Sequence, residues 1–468
     1  MGAGFSQLNS LTIIQTSQGL AEYLLSAHPD TREAGLVIGH DGRHHSLHFA
    51  KLVAGVFLSK TIKVWWYEDV VHTPMVPFAV KHLEAAGGVM ITASHNPAHD
   101  NGYKVYGPNG CQINAPIDAQ IAASILENLA PITWDTGLLD RSQLKRDIRD
   151  QVMILYTGHL WNCLHWESFP SLPEPTFPSF VYTPMHGVGL PFMQKAVGSL
   201  VCSLKGPEHP PMKMTVVPEQ AHPDPDFPTV KFPNPEEDGA LDLAKATADK
   251  HGMNLIIAND PDADRLAIAE KVDGVWIQLT GDQLGVLLAY FILSQSMKSD
   301  QRVASENSNG SQSKYVLASA VSSQMLGVIA SDFNASFEET LTGFKWLGSR
   351  ALELEKQGKD CVFAYEEALG YMIPAVVYDK DGVLAASAFL SACGHWGSPW
   401  AKLQELYERY GNFVTTNTYW RSSSVQKTTA TFEKIRALEK PYPQWLASRQ
   451  GQWGTLPLSC LTCHACMN

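Results

Sequence analysis

Residues 255–265 read LIIANDPDADR. Four apolar residues of strand length run straight into a turn that carries Asp260, Asp262 and Asp264 on alternate positions. A short apolar strand that ends in such a loop marks an α/β sheet with ligand chemistry at a strand end. The same order of events recurs elsewhere in the chain. Residues 35–39 (GLVIG) precede a turn at 40–43, residues 47–58 are helix-like, and residues 62–67 (IKVWWY) form the next strand candidate. Residues 88–92 (GVMIT) run directly into TASHNPAHDNGYKVY at 92–106, and residues 361–364 lead into YEEALGY at 365–371. No segment repeats by identity; the recurrence is one of architecture.

The chain has 468 residues, a length that suggests about three domains. Hydrophobic residues make up 45% and charged ones 18%, which supplies several buried cores. The formal charge is −12 with no Lys/Arg run, a surface that repels nucleic acid and anionic lipid. A bound anion therefore needs a locally basic pocket. There is no uninterrupted apolar stretch of about 18 residues or more, so no membrane span is expected. The N-terminus MGAGFSQLNS lacks the basic and apolar regions of a signal peptide. MGAGFS fits the loose myristoylation pattern, which is set aside because Gly2 is expected to lie inside the first domain. Eight cysteines, most of them scattered, suit free thiols in a reducing cytoplasm. Residues 170–178 (PSLPEPTFP) read as a linker, and the Pro-rich residues 218–235 as an extended loop.

Each strand-end loop carries its own chemistry. The carboxylates of Asp260, Asp262 and Asp264 converge on one hard cation as the chain curls off its strand, and oxygen ligands suit Mg²⁺. An EF-hand is excluded, because Arg265 stands where that loop needs Gly and Lys271 where it needs Glu. A plain solvated turn is a poor alternative, since three carboxylates this close repel unless a cation neutralises them. Arg265 adds a planar fork for phosphate. In the serine loop, Ser94 is a weak nucleophile that needs a base or a cation to move phosphate. His95 is adjacent and Lys104 follows ten residues after Ser94. Lys104 stabilises charge on a transferring group, or exchanges a proton if its pKa is depressed. Alone, the Ser-His-Asn-Pro turn reads more often as a capped turn than as a catalytic loop. Glu366 and Glu367 suit sugar hydroxyls or, just as well, a helix N-terminus.

TASHNP, DPDADR, ETLTGFKW at 339–346 and EEALGY occur in the order found in the α-D-phosphohexomutase superfamily. YTPMHGVG at 182–189 and PEQAHPDPDFPTVKFPNPEE at 218–237 add to the match. The chain most resembles the phosphoglucomutase-2 branch, which includes phosphopentomutases and glucose-1,6-bisphosphate synthases, from nearly residue 1 to about residue 443. The resemblance implies an α/β fold of three consecutive domains with mixed sheets around a central cleft. Residues 1–150 would hold the phosphoserine loop, 176–301 the metal loop and 302–398 the sugar loop. Residues 399–468 are expected to be a linker to a largely absent fourth domain, with an aberrant tail.

By the same resemblance Ser94 is the phosphoserine, and Mg²⁺ bridges its phosphate to Asp260, Asp262 and Asp264. Lys104 resembles the proton-transfer lysine, with His95 in support. Glu366 matches the sugar-reading carboxylate, and Arg265, Thr342 and Lys380 match positions that contact the ligand. The implied reaction interconverts sugar 1-phosphates and 5- or 6-phosphates through a sugar 1,6- or 1,5-bisphosphate, with small-molecule sugar phosphates as partners and a cytoplasmic monomer as the working form.

Three departures qualify the resemblance. Ala368 stands where glucose-specific members carry a Ser that helps bind sugar hydroxyls, which makes pentose phosphates plausible main substrates. The Gly-Thr-x-Gly-Leu-Arg segment that family members carry upstream is not seen, so the first strand and one cation are expected to be missing. An Arg-x-Ser-Gly-Thr-Glu-like phosphate loop is not seen after Pro443 either. The final residues include Cys460, Cys463, His464 and Cys466, a literal haem-attachment pattern that is read as fortuitous. The competing readings are a glucose-1,6-bisphosphate synthase and an inactive sugar-phosphate-binding homologue.

Overall fold

The computed structural model describes residues 7–164, 177–205, 212–306, 313–415 and 422–437. Gly2, most of the 170–178 linker and the cysteine-bearing tail lie outside the described residues. The chain divides into a unit ending at Phe413 and a second beginning at Val414.

The first unit holds three sheets. In the first, β1 (Leu36–His40), β2 (Val64–Trp66), β3 (Gly87–Ile91), β4 (Tyr103–Tyr106) and β5 (Lys145–Asp147) are ordered β4-β3-β1-β2-β5. All pairings are parallel except β3 with β4. The second contains β6 (Phe180–Thr183), β7 (Met214–Val216), β8 (Leu255–Asn259), β9 (Leu266–Val272) and β10 (Val275–Gln278), ordered β10-β9-β8-β6-β7. Strands β6, β7 and β8 are parallel, and β9 and β10 reverse direction in turn. The third contains β11 (Lys314–Ser319), β12 (Ser336–Thr340), β13 (Asp360–Glu366) and β14 (Gly370–Met372), ordered β12-β11-β13-β14, with only β14 antiparallel.

The three chemistry-bearing loops are therefore one joint used three times. Each leaves the carboxyl end of a parallel strand (β3, β8, β13) and leads into an antiparallel neighbour next in sequence. A parallel strand normally needs a long crossover to its next partner, whereas a hairpin keeps the loop short and pinned at both ends.

The strand interiors explain the continuous apolar runs. Leu36 and Ile38 of β1 join a core with the helices Ser10–Ala27 and Ser46–Ser59, while Val37 turns to the opposite core with Met90. Successive side chains point to opposite faces, so a sheet covered on both sides needs apolar residues at every position. The core beyond Val37 is shared by residues of all three sheets, including Ile257, Phe363 and Tyr365.

Two expected boundaries are corrected. The helix Gly281–Glu306 runs across 301/302, so the third domain begins before it. Leu284, Leu287, Leu288 and Phe291 are buried, and Asp282 accepts hydrogen bonds from the Tyr365 hydroxyl at 2.9 Å and the Ser323 N–H at 2.7 Å. Gly281 has to be glycine here, because a Cβ would stand 1.7 Å from the Glu367 carbonyl oxygen. The second correction is at 399. The helix Pro399–Tyr410 buries Leu403 and Leu406 in the shared core, and its Trp400 N–H donates to Glu270 at 2.7 Å. A strong apolar periodicity marks a helix but does not say which sheet will bury it. In the second unit, residues Val425–Ala437 form a helix. Among the described residues, no helix is long and apolar enough to cross a membrane.

One buried carboxylate makes stability depend on pH. Asp381 caps the helix Gly382–Trp396 through the N–H groups of Val383 and Leu384 and accepts from the Tyr156 hydroxyl at 2.7 Å. Burial nevertheless lifts its carboxyl from the ordinary range to about 6. The folded state then holds a proton that the unfolded chain has released, so stability falls as pH rises from about 4 to about 6. Asp381→Asn keeps an N-cap acceptor without the charge. The stability of wild type relative to this variant, read by urea denaturation, is expected to drop by up to about 3 kcal/mol between those limits. A difference that stays flat or rises would contradict the burial argument.

Candidate active site

The metal loop is rigid because its own backbone is answered on every side. The Pro261 carbonyl accepts from Val188 N–H at 2.8 Å, Asp262 from Thr73 N–H at 3.0 Å, and Ala263 from Gly382 N–H at 3.2 Å. Those donors come from three separate parts of the chain, and a buried carbonyl left without one would cost stability. Arg265 forms a β-bridge with Gly370, which ties this loop to the third hairpin.

Asp260, Asp262 and Asp264 are fully buried, and one ligand oxygen from each lies within 4.8 Å of the others. Their two oxygens have different work. Lys104 Nζ donates to Oδ2 of Asp262 at 2.8 Å and to Oδ2 of Asp264 at 2.9 Å, and Lys380 Nζ pairs with the same Asp264 oxygen at 2.9 Å. Oδ1 of Asp262 and Oδ1 of Asp264 are buried with no hydrogen-bond partner. Two unanswered carboxylate oxygens beside a third carboxylate are a fitting donor set for a hard divalent cation.

Asp260 joins this group to the serine loop. Its Oδ1 accepts from the Arg265 N–H at 3.0 Å, and its Oδ2 from the Ser94 hydroxyl at 3.0 Å. Burial and the neighbouring Asp262 and Asp264 charges push the Asp260 carboxyl well up. For Asp262, burial also disfavours the charge, but Lys104 and Lys380 outweigh it and the carboxyl is held far below its usual range.

Ser94 stands at φ 53°, in the left-handed region. A non-glycine residue there is strained and needs outside support. Thr92 supplies part of it, its Oγ1 accepting from the Ser94 N–H at 2.9 Å. Arg43 supplies the rest. Its guanidinium donates to the carbonyls of Ser94 and Asn96 at 2.6 Å each and of Pro97 at 2.8 Å. Asp41 pairs with Arg43 Nε at 3.2 Å, and the Phe227 ring covers the guanidinium at 4.9 Å. The His95 ring lies with Nδ1 3.4 Å from Ser94 Oγ. Burial first, then the Arg265 charge, lowers its pKa to about 3, so the ring is neutral.

Lys104 corrects an expectation. The sequence allowed proton exchange through a depressed pKa. Burial does push in that direction, but Asp262 and Asp264 pull harder and the ammonium's pKa is raised. Lys104 is therefore a charged group in this site.

The third hairpin separates its two adjacent carboxylates. Glu366 ends β13 and its Oε1 accepts from the Gly343 N–H, and its pKa is raised chiefly by burial. Glu367 turns back and accepts from the hydroxyls of Ser319 at 3.1 Å and Ser322 at 3.3 Å. The helix N-terminus alternative is thereby replaced by a hairpin turn. Thr342 precedes Gly343 in the loop after β12, and its place here rests on that backbone position.

Of the residues singled out by sequence, Ser94, His95, Lys104, the three Asp, Arg265 and Lys380 thus meet in one cluster, with Glu366 at its edge. Arg43 and Thr73 were missed. Both stand beside recognisable signals, a turn after β1 and a Pro-started helix at Met75–His82, but neither signal points to a loop elsewhere in the chain.

Comparison with known proteins places these features in a wider group. The sequence matches the phosphoglucomutase/phosphomannomutase α/β/α domain I over residues 2–131, domain II over 155–274 and domain III over 280–410. A Schizosaccharomyces pombe protein named "Probable phosphoribomutase" is 47% identical, over 96% of this chain and 75% of its own length. The human glucose 1,6-bisphosphate synthase is 39% identical, over 95% of this chain and 71% of its own length. A solved phosphoglucomutase/phosphomannomutase family protein from Burkholderia thailandensis has a TM-score of 0.61 at 17% identity, covering 86% of this chain and 77% of that one. At that identity the likeness speaks for the fold.

Proposed function

We propose, from the premise that the chain belongs to the phosphoglucomutase/phosphomannomutase family, that Ser94 carries the phosphoryl group in an interconversion of sugar 1-phosphates with 5- or 6-phosphates. The chain is a sugar-phosphate mutase, an intramolecular phosphotransferase of the isomerase class. The observation that supports Ser94 is its hydroxyl held on Asp260 at 3.0 Å, beside two buried carboxylate oxygens without partners.

The residues divide the work as follows. In the first transfer the P–O bond to Ser94 Oγ breaks and a new one forms to a sugar hydroxyl, whose proton ends on the freed Ser94 oxygen, giving a sugar bisphosphate; in the second the other phosphate returns to Ser94 and the proton to the sugar. Positioning and charge are what such a reaction asks of a protein. Lys104, held charged between Asp262 and Asp264, offsets negative charge on the transferring group. His95, neutral and with Nδ1 3.4 Å from Ser94 Oγ, supports that oxygen as a hydrogen-bond partner. Arg265 and Lys380 offset phosphate charge, and Glu366, with Thr342 nearby, takes sugar hydroxyls. Asp260, Asp262 and Asp264 would hold a divalent cation, with Mg²⁺ as the proposed ion, whose charge offsets that of the transferring phosphoryl oxygens. A phosphoserine carries about −1.5 to −2. That charge is matched by the divalent ion, while the three Asp face Lys104, Lys380 and Arg265.

The pentose phosphates are the proposed main substrates, supported by the greater identity to the phosphoribomutase and by Ala368 in the sugar hairpin. The proposed setting is a cytoplasmic monomer acting on small molecules. Supporting this, Cys111, Cys163, Cys202, Cys361 and Cys393 are unpaired.

The test is intact-mass and phosphopeptide analysis after incubation with a sugar bisphosphate and Mg²⁺. One phosphate on the Ser94 peptide is expected, with loss of the label in Asp262→Ala. A folded chain that takes phosphate elsewhere, or none, would overturn the assignment. Ribose 1-phosphate turnover is expected to exceed glucose 1-phosphate turnover. Bisphosphate formation from an acyl phosphate in excess of either would favour the synthase reading.

A further inference from the structure

The Asp262 carboxylate is bound unevenly. Its Oδ2 collects three donors: the Thr73 hydroxyl at 2.6 Å, Lys104 Nζ at 2.8 Å and the Thr92 hydroxyl at 3.3 Å. Its Oδ1 is buried with no hydrogen-bond partner. Of the three donors, only Thr73 grips the residue at both ends, because its N–H also holds the Asp262 carbonyl at 3.0 Å. Thr92 is the longest of the three contacts and its oxygen also accepts from the Ser94 N–H. Lys104 is shared with Asp264.

We infer that Thr73 is a positioning residue for the cation. It turns Asp262 so that Oδ2 faces the protein and Oδ1 faces the metal. The inference rests on the reading that the Asp triad holds a divalent cation.

The chain geometry supports a fixed role. Thr73 is fully buried at the entry to the helix Met75–His82, whose first turn is closed by Thr73 itself, its carbonyl accepting from Val76 N–H at 3.1 Å. The preceding His72 ring is wedged against Phe192 at 4.1 Å and Tyr156 at 5.4 Å. Main chain and hydroxyl are thus both anchored before they meet Asp262. A carboxylate held at one point can rotate about its χ2 torsion, whereas one held at its main chain and at one oxygen presents its other oxygen in a set direction. Partners of this kind commonly account for 10–100-fold in metal affinity (roughly). A plain structural reading competes with this one, in which the hydroxyl only answers a buried oxygen. That reading predicts a loss of stability without a change in metal binding.

The two are separated by titration calorimetry with Mn²⁺ on the full chain, run beside urea denaturation without metal. Thr73→Val keeps the shape and removes the hydroxyl, and is expected to bind Mn²⁺ roughly 10–100-fold more weakly than wild type. Thr73→Ser restores the donor and is expected to stay within about threefold of wild type. If the valine variant fails to fold, Thr73→Ala is read in its place with the same expectation. Wild-type affinity in the valine or alanine variant, or equal weakening in valine and serine variants, would overturn the role of Thr73 alone. Failure of the wild type to bind Mn²⁺ would overturn the metal reading and this inference together.

Discussion

Ser94→Ala is expected to lower mutase turnover by roughly 10⁴-fold or more while leaving the fold in place. Three described hydroxyls are bonded to the triad, and of these Ser94 is the one that is not buried. Thr73 and Thr92 also contact Asp262, but Thr73 is fully buried and Thr92 is already the acceptor for the Ser94 N–H. The variant removes one hydrogen bond of 3.0 Å, and a left-handed residue at φ 53° costs alanine about as much as serine. Stability should therefore move by no more than about 1 kcal/mol. Turnover measured with added sugar bisphosphate, together with a thermal melt, separates the two effects. Residual activity within tenfold of wild type would mean that another residue carries the phosphate.

The second large effect is expected at Arg43, for a different reason. Its guanidinium is buried, pairs with buried Asp41 and holds four carbonyls of the serine loop. Arg43→Met preserves much of the volume but strands the buried Asp41 charge and takes the guanidinium donors from the serine-loop carbonyls. Removing one partner of a buried pair typically costs about 3–5 kcal/mol. The loop would also be free to relax from its strained turn, and a displacement of about 1 Å at a reacting group can cost roughly 100-fold in rate. Both losses are expected in Arg43→Met. Adding Asp41→Asn should recover part of the stability, because the stranded charge is gone, but none of the Ser94 phosphorylation. Recovery of both would show that Arg43 serves the fold and not the loop.

The two variants differ in what they reveal about the order of construction. Ser94 is the proposed phosphate carrier, and its own turn points to that role once the loop of Asp260, Asp262 and Asp264 is set beside it. Arg43 reacts with nothing. Its contribution is to make a left-handed turn affordable at the one position where Oγ must reach Asp260.

What the sequence determined by itself is the local chemistry. Alternating Asp260, Asp262 and Asp264 after an apolar strand name a hard-cation loop, since periodicity and ligand type are short-range properties. Strands β1, β2, β3, β8 and β13 and the helix Ser46–Ser59 were legible for the same reason. Tertiary structure decided the rest. Arg43 answers the Ser94 carbonyl across 51 positions and Thr73 answers Asp262 across 189, and no local pattern records such a pairing. Glu366 and Glu367 are chemically identical neighbours, and only the strand end sends one toward Gly343 and the other to Ser319 and Ser322. The charge state of Lys104 was likewise open until the fold set it between two buried carboxylates. Residue type states what a group can do; the fold decides which of its atoms are already engaged and which are left to meet a ligand.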